Sequence, residues 1–475
     1  MRGLKTSYDK VQLWREKAKN HRIEKERLKK RLKEVKQGRQ SWRSKHHKCQ
    51  QELVLLRKRL AALEKKLADK PSGHSYDSFI IKLALWLRYQ GNCSLRSSRK
   101  ILSMFILLLE LNSSIPSHVS ISNWEKKLGY YRLYESSKAT GDWMIFIDES
   151  IVVGQQRMLL ILGLCLNAYE FGRALCFEDV EVLGFGIQKS WTGEEIEREI
   201  AQLKSSGLSI LYCTSDNGNN IRKSLRINDL IHIEDCTHAF GKLLEKQYKN
   251  QEEFMAFSKQ CVKFKRCKML GTNAFLIPPT QRSKGRFLNL EPLATWAYQW
   301  LKRLEKEGQK KKQPAWCKEM VWLKKYQLMI ERIYEDCLVM HQLFKILKPE
   351  GLGEQSAEKC RDILKKNKAT TFFKEGVQQY LTKNLAKIDQ LNQVICTSDI
   401  IESFFGKLKN RLSENKAIGL TDSCLGIANF SKQPDKNEVK KAMESVKIID
   451  IFNWRKKYLE LNLIQKKKRA FKNAG

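Results

Sequence analysis

The sequence lacks any apolar run that is long enough to cross a membrane. Its longest apolar stretches, such as residues 101–111 (ILSMFILLLEL), fall well short of the roughly 20 residues that a membrane helix needs. The first ten residues, MRGLKTSYDK, lack the apolar segment of a signal peptide. We therefore expect a soluble protein that stays in the cytoplasm and has no membrane partner.

The 13 cysteines include no CxxC pair, so the strongest zinc motif is missing. Cys261 and Cys267 share a basic stretch, but no further candidate zinc ligand lies close to them in the sequence. An odd and scattered set of cysteines is typical of reduced thiols in the cytosol. Most of them should be small residues of the core.

Acidic residues are in short supply relative to basic ones. The 475 residues include 89 Lys and Arg against 52 Asp and Glu, which gives a formal net charge of +37. Such a charge attracts polyanions, and nucleic acid is the commonest polyanion for a soluble protein, with a membrane surface as the competing partner. At 42% hydrophobic residues the chain can still bury at least one large core, and its length predicts several domains.

Residues 1–70 have the pattern of a basic coiled coil. Leucines recur at alternating spacings of three and four, at Leu53, Leu56, Leu60, Leu63 and Leu67, and the pattern continues more weakly upstream at Leu28, Leu32 and Val35. A coiled coil predicts a homodimer, and a single solvated helix is the alternative. The many Lys and Arg would also let this segment lie along a phosphate backbone.

Residues 71–140 follow a break at Lys70-Pro71-Ser72-Gly73 and read as compact helices. Ser94 and Ser120 are candidate helix caps. The second of two helices should expose three polar residues, namely Asn123, Lys126 and Lys127. This arrangement is similar to a helix-turn-helix DNA-binding unit, and a plain helical adaptor is the alternative.

Residues 141–245 alternate between strands and helices. Five short apolar segments predict strands, with a capped amphipathic helix at 192–207 and a short helix at 219–226; the strands are WMIFIDES, MLLILGLCLN, ALCFEDVEVLGF, LSILYCTSD and LIHIEDC. The order βββαβαβ is that of the ribonuclease-H-like fold. We therefore predict a mixed α/β core of this class.

The remainder of the chain is predicted to be mainly helical. Residues 246–393 are basic and contain Trp296, Trp300, Trp316 and Trp322, which predicts an all-helical insertion into the core. Residues 394–475 should complete the core with a helix at 398–412 and end in a basic tail.

Three carboxylates are positioned to meet. Asp148 and Asp216 each end a strand, and in the predicted sheet these two strands are neighbours. Glu402 precedes Phe404, Phe405 and Leu408, which form an apolar face that can dock a helix on the sheet. Converging carboxylates that hold two metal ions are what phosphodiester chemistry requires, and Mg²⁺, with Mn²⁺ as a substitute, suits such ligands.

Each of these acids also has a structural interpretation, since Asp148 or Asp216 could cap a strand end and Glu402 could be a solvated helix residue. Three neighbouring acids are further candidates. Glu149 should point away from Asp148, Asp399 lies one turn before Glu402, and Asp235 should support the site. Three cations after Glu402 are predicted to face phosphates, namely Lys407, Lys409 and Arg411.

The segments FIDES, TSDNG and IIESFFGKLK resemble the three blocks of the DDE transposases of bacterial insertion sequences. In IEDCTHAF, Asp235 and His238 match the C/D-x-x-H signature of the groups that carry a helical insertion before the Glu. The resemblance covers most of the chain, from an N-terminal DNA-binding region to a split catalytic core.

This resemblance implies a Mg²⁺-dependent enzyme that cuts DNA at the ends of a mobile element and joins the 3′-hydroxyl to a target. Asp148, Asp216 and Glu402 would be the metal ligands, and His238 would act near the scissile phosphate or serve as a core histidine. Trp296 or Trp300 would stack on a flipped base or pack in the helical core. It also implies a bacterial, nucleoid-associated protein. The alternatives are a ribonuclease-H-like nuclease without strand transfer and a non-catalytic coiled-coil DNA-binding protein.

Overall fold

The computed structural model describes residues 2–66, 70–111, 113–138, 140–151, 156–281, 285–310, 314–388, 391–412, 420–461 and 463–472. The chain comprises two units, Met1–Lys70 and Pro71–Gly475. Among the helices of the described residues, none has both the length and the apolar character that crossing a membrane requires.

The first unit is one long helix, α1 (Arg2–Lys66). Residues 10–59 are exposed along it, and Leu53 and Leu56 of the predicted seam are 49% and 56% exposed. The side chain of Leu63, and Leu67 as a whole, lie outside the described residues. The helix is as expected, and the coiled-coil dimer stays a prediction.

A five-stranded sheet lies at the centre of the second unit. Its strands are β1 (Asp142–Ile151), β2 (Arg157–Cys165), β3 (Val180–Gln188), β4 (Ser209–Ser215) and β5 (Ile231–Glu234), in the spatial order β3-β2-β1-β4-β5. The first three strands pair antiparallel, whereas β4 pairs parallel to β1 and to β5. The predicted ribonuclease-H-like core is confirmed. The third strand begins later than predicted, because residues 177–179 form a 3-10 turn before it.

Helices cover both faces of the sheet. Because side chains alternate along a strand, Trp143, Ile145 and Ile147 of β1 face one side, where α5 (Gly193–Ser205) and α6 (Asn219–Ile227) bury them. Met144 and Phe146 face the other side and join a core with α7 (Cys236–Tyr248). Thr192 caps α5 in a capping box with Glu195, as its sequence predicts.

The predicted insertion is helical. It contains α8 (Glu252–Lys268), α9 (Glu291–Gly308), α10 (Trp316–Met320), α11 (Gln327–Glu350), α12 (Glu354–Lys366) and α13 (Thr371–Leu385). Its tryptophans pack on one another, with ring centroids 5.0 Å apart for Trp300 and Trp316 and 6.4 Å apart for Trp296 and Trp322. Trp296 and Trp300 are therefore core-packing residues in this structure.

The remaining helices are α2 (Ser78–Tyr89), α3 (Leu95–Leu108), α4 (His118–Tyr134), α14 (Asp399–Leu412), α15 (Lys436–Ser445), α16 (Ile448–Tyr458) and α17 (Leu463–Lys472). Residues from α2, α3, α4 and α15 share one core. Ser94 caps α3 as predicted, but the cap of α4 is Ser117 and not Ser120.

The polar face predicted for α4 is largely covered. Lys127 is buried and its Nζ donates to the carbonyl of Met443 at 2.9 Å. Lys126 forms an ion pair with Asp422 at 3.1 Å. The prediction that these two lysines are exposed was wrong. Both contact segments that lie about 300 residues later in the chain, and these segments cover that face of α4. Asn123 remains partly exposed.

Candidate active site

Two aspartates follow paired positions of neighbouring strands. In the parallel register of β1 and β4, Ile147 lies opposite Ser215, and the next residue in each chain segment is Asp148 or Asp216. Asp148 Oδ1 accepts the backbone N–H of Glu149 at 2.7 Å, and Asp216 Oδ1 accepts that of Gly218 at 3.0 Å. Both carboxylates are thus held by local backbone. Asp216 follows the end of β4 as predicted, but Asp148 lies within β1, because pairing with β2 continues the strand to Ile151.

A buried aspartate lies beside them. Asp235 is fully buried at the start of α7, where its Oδ1 accepts the backbone N–H of His238 at 2.7 Å. Its Oδ2 accepts the hydroxyl of Ser398 at 2.7 Å. Burial alone would raise the pKa of Asp235, but the hydrogen bonds from His238 and Ser398 bring it below its ordinary value. Asp235 therefore stays ionised and joins α7 to the segment before α14.

His238 lies between two acids. Its Nδ1 is 3.3 Å from Asp235 Oδ1, and its Nε2 is 3.4 Å from Glu402 Oε1. The hydrogen bond to Asp235 outweighs burial and, together with the charge of Glu402, raises the pKa of His238 to about 9. At neutral pH this imidazole is consequently a cation and a double donor.

The helix that carries Glu402 is fixed from several sides. Ile401, Phe404, Phe405 and Leu408 are buried, which leaves the Glu402 side chain 55% exposed on the opposite face. At the start of the helix, Asp399 forms an ion pair with Lys348 of α11 at 2.5 Å. The insertion thus contributes directly to the position of α14.

The site has an excess of negative charge. Burial, followed by the charges of Asp216 and Glu402, raises the pKa of Asp148 to about 7. The pKa of Glu402 is also raised, first by desolvation of its carboxyl group and then by neighbouring acids. Asp148 therefore interacts with both of the other predicted carboxylates. A carboxyl group whose pKa is raised by burial and by neighbouring acids is typical of a functional site.

The donor chemistry fits a hard divalent cation, since all three side chains offer carboxylate oxygens. Their arrangement is not yet that of a closed cage: in the described part of the chain, no three Asp, Glu, His or Cys side chains form a group that could hold one ion. Glu402 is turned towards His238 at 3.4 Å. Metal binding by all three acids would require Glu402 to turn away from this histidine.

Three other residues named from the sequence have defined partners in the structure. Glu149 pairs with Arg157 across to β2 at 3.3 Å. Arg411 does not face outward: its guanidinium contacts Glu125 at 2.7 Å and lies 3.9 Å from the Tyr89 ring. Lys407 is exposed, but its Nζ lies 3.4 Å from the centroid of the Phe177 ring.

Sequence reasoning missed Ser398, which donates to Asp235 at the start of α7, and Lys348, which pairs with Asp399 at the start of α14. A serine directly before a helix that begins with Asp was a signal for the first of them. Lys348 lies 51 residues before Asp399 in a different helix, and no local pattern connects the two residues.

Similar proteins are found among solved structures. Neither a family model nor a curated protein matches the sequence. Among solved structures, the chain is similar to the Drosophila P element transposase in a strand transfer complex, with 11% sequence identity and a TM-score of 0.44, over 80% of this chain and 99% of that chain. A likeness of this size assigns no function to this chain.

Proposed function

We propose that this protein is a DNA transposase of the DDE type, which cleaves DNA strands and transfers their 3′ ends in a Mg²⁺-dependent reaction. The observation that carries the proposal is the parallel pairing of β1 and β4, in which Ile147 lies opposite Ser215 directly before Asp148 and Asp216; the raised pKa of Asp148 supports it. The net charge of +37 supports a nucleic-acid substrate. DNA is therefore the proposed partner.

In this proposal Asp148 and Asp216 supply metal ligands from two rigid strands, and Glu402 supplies the third from α14. When bound, a pair of Mg²⁺ ions would activate the attacking oxygen and stabilise the leaving oxygen.

His238 would serve as a donor to a phosphate oxygen. Because its pKa is about 9, it is protonated at neutral pH and cannot accept a proton as a general base. Its Nε2 lies 3.4 Å from Glu402 Oε1, so a rotation of the Glu402 side chain away from the imidazole would leave Nε2–H available to the substrate. Asp235 keeps the imidazole oriented through Nδ1.

Substitution of the acids tests the proposal. Asp148→Asn, Asp216→Asn and Glu402→Gln should each abolish Mg²⁺-dependent nicking of plasmid DNA and leave DNA binding intact. Asp142→Asn is the matched control, since Asp142 lies at the other end of β1, where it accepts the hydroxyl of Ser209 at 2.7 Å. Wild-type nicking by any of the three site variants would exclude the assigned site.

A second assay separates a transposase from a ribonuclease-H-like nuclease. Labelled duplexes that carry the DNA flanking the gene and end in a free 3′-hydroxyl are incubated with a target plasmid and Mg²⁺. A transposase joins label to the plasmid, whereas a nuclease gives shortened products alone. Inverted repeats and a duplicated target site in the flanking DNA would support an insertion-sequence element.

A further inference from the structure

The long helix α1 is uneven along its length. Residues 10–48 contain 16 Lys and Arg against 4 Glu, and the leucine-rich part begins only at Leu53. Residues 10–59 are all exposed. A helix that is polar over most of its surface gains little from its own contacts. The helix therefore has two exposed parts of different chemistry, a basic part at residues 10–48 and a leucine-rich part that begins at Leu53.

The heptad spacing of Leu53, Leu56 and Leu60 continues towards the N-terminus without a skip. With Leu53 at position a and Leu56 at position d, the same seam takes in Val11, Trp14, Ala18, Leu28, Leu32, Val35, Trp42 and Cys49. Polar residues occupy the other seam positions between Val11 and Leu53, namely His21, Lys25, Arg39 and His46. From Cys49 to Leu60 the seam has no charged or imidazole side chain, whereas the upstream part is interrupted four times.

Charges beside the seam favour a parallel pair at its C-terminal part. In a parallel dimer each g residue faces the e residue that lies five positions later in the partner helix. Glu52 then faces Arg57, which is attractive. In an antiparallel pair centred on residue 58, Arg57 would face Arg57 and Arg59 would face Arg59, which is repulsive. The parallel arrangement is therefore favoured.

In the N-terminal part of α1, the facing g and e residues of a parallel dimer are mostly repulsive. One facing pair, Glu24 with Lys29, is attractive, whereas three facing pairs carry like charges: Lys10 with Arg15, Lys17 with Arg22, and Arg31 with Lys36. Each pair of like charges at facing positions should destabilise association by about 0.2–0.5 kcal/mol, which is the effect of a like-charge pair on one helix. Two copies of this part repel each other unless a polyanion lies between them.

We propose that α1 is a parallel two-stranded zipper from Cys49 onward, whose basic arms, residues 10–45, separate and hold a DNA duplex between them. The identity of the polyanion follows from the proposed function. An arm of 36 helical residues would span about 54 Å at 1.5 Å per residue, which exceeds one turn of B-DNA, about 34 Å. The zipper would then position two copies of the enzyme on one DNA molecule.

The register is tested in the full-length protein by cross-linking. Cys49 at position d would place two thiols within the Cα separation of about 7 Å that a disulfide allows. Diamide accepts two electrons and two protons as the two thiols join. We expect a dimer on non-reducing gels for the wild type and for Cys176→Ser and Cys267→Ser, which alter other exposed cysteines. Loss of the dimer in Cys49→Ser is the expected result, and its persistence would overturn the parallel register.

The arms are tested by the salt dependence of binding to a DNA duplex of arbitrary sequence. The triple variant R15Q/R22Q/K29Q removes six cations per dimer, and the slope of log K against log salt should fall by up to about 5, at ~0.9 per phosphate contact. The control K365Q/K366Q/K368Q removes as many exposed cations from the helical insertion. Equal slopes in the two variants would overturn the role of the arms.

The zipper and the arms are linked by a third variant. L53D/L56D should abolish the Cys49 cross-link and lower the salt slope in the same protein, because separated arms no longer act on one duplex. A normal slope in this variant would contradict the proposal that the zipper holds the two arms on one duplex. Neither assay involves cleavage, so Asp216→Asn should behave as the wild type in both, and failure of the proposed catalysis would leave these results unchanged.

Discussion

The buried ion cluster around Glu125 allows a stability prediction with a worked magnitude. Glu125 Oε1 accepts Arg88 Nη2 at 2.9 Å and Arg411 Nη1 at 2.7 Å, and the three side chains are 11%, 11% and 16% exposed. Glu125→Gln keeps the shape but leaves two guanidinium groups without a counter-charge. Breaking a buried pair in this way costs about 3–5 kcal/mol. Because Gln retains one acceptor, we expect the lower end, about 3 kcal/mol.

The assay is equilibrium urea unfolding at pH 7, followed by tryptophan fluorescence. Glu135→Gln in the exposed turn after α4 is the control and should change the unfolding free energy by less than about 0.5 kcal/mol. Arg411→Met should cost less in the Glu125→Gln background than in the wild type, since the pair is already broken. A Glu125→Gln effect below about 1 kcal/mol would refute the assigned contribution of the cluster.

Three other properties can be measured. Burial, and then the charge of Lys387, lowers the pKa of His232 to about 4. Below pH 6.5 the unfolded chain therefore binds a proton at this residue that the folded chain does not bind, and the unfolding free energy should fall by up to about 3 kcal/mol between pH 6.5 and pH 4. His232→Gln should remove this loss. A Cβ on Gly129 would lie 2.2 Å from the Leu425 carbonyl oxygen, whereas none of the described atoms lies within 4 Å of one on Gly406. Gly129→Ala should thus cost about 1–3 kcal/mol in unfolding free energy, and Gly406→Ala should gain up to about 1 kcal/mol. Wild-type binding to generic DNA should weaken steeply with salt, as titrations at several salt concentrations would measure, and a flat response would remove the electrostatic basis of the interaction.

The ribonuclease-H-like core was predictable because its signals are local. Apolar runs that end on Asp148 and Asp216 identified two strands, and the order of elements placed those strands side by side. Glu402 was found from the apolar face that follows it in the same helix. Each of these features lies within about 15 residues of sequence, where the periods of strand and helix apply.

The contacts that failed to be predicted join segments distant in sequence. Arg411 looked like a phosphate ligand because it is a cation on a basic helix, yet its partner Glu125 lies 286 residues earlier. Lys127 was assigned to an exposed face for the same reason, and Met443 covers it 316 residues later. Periodicity shows which residues share a face but not whether a distant segment covers that face.

The proposed function requires Asp148, Asp216 and Glu402 to bind the same divalent ions. Fe²⁺ occupies hard-oxygen sites of this kind and, with ascorbate and peroxide, generates hydroxyl radicals that cut the chain beside the bound ion. Mass spectrometry of the fragments should show cuts near residues 148, 216 and 402, suppressed by excess Mg²⁺ and absent in Asp216→Asn. Cuts that cluster at other residues, or that persist unchanged in this variant, would contradict the assignment.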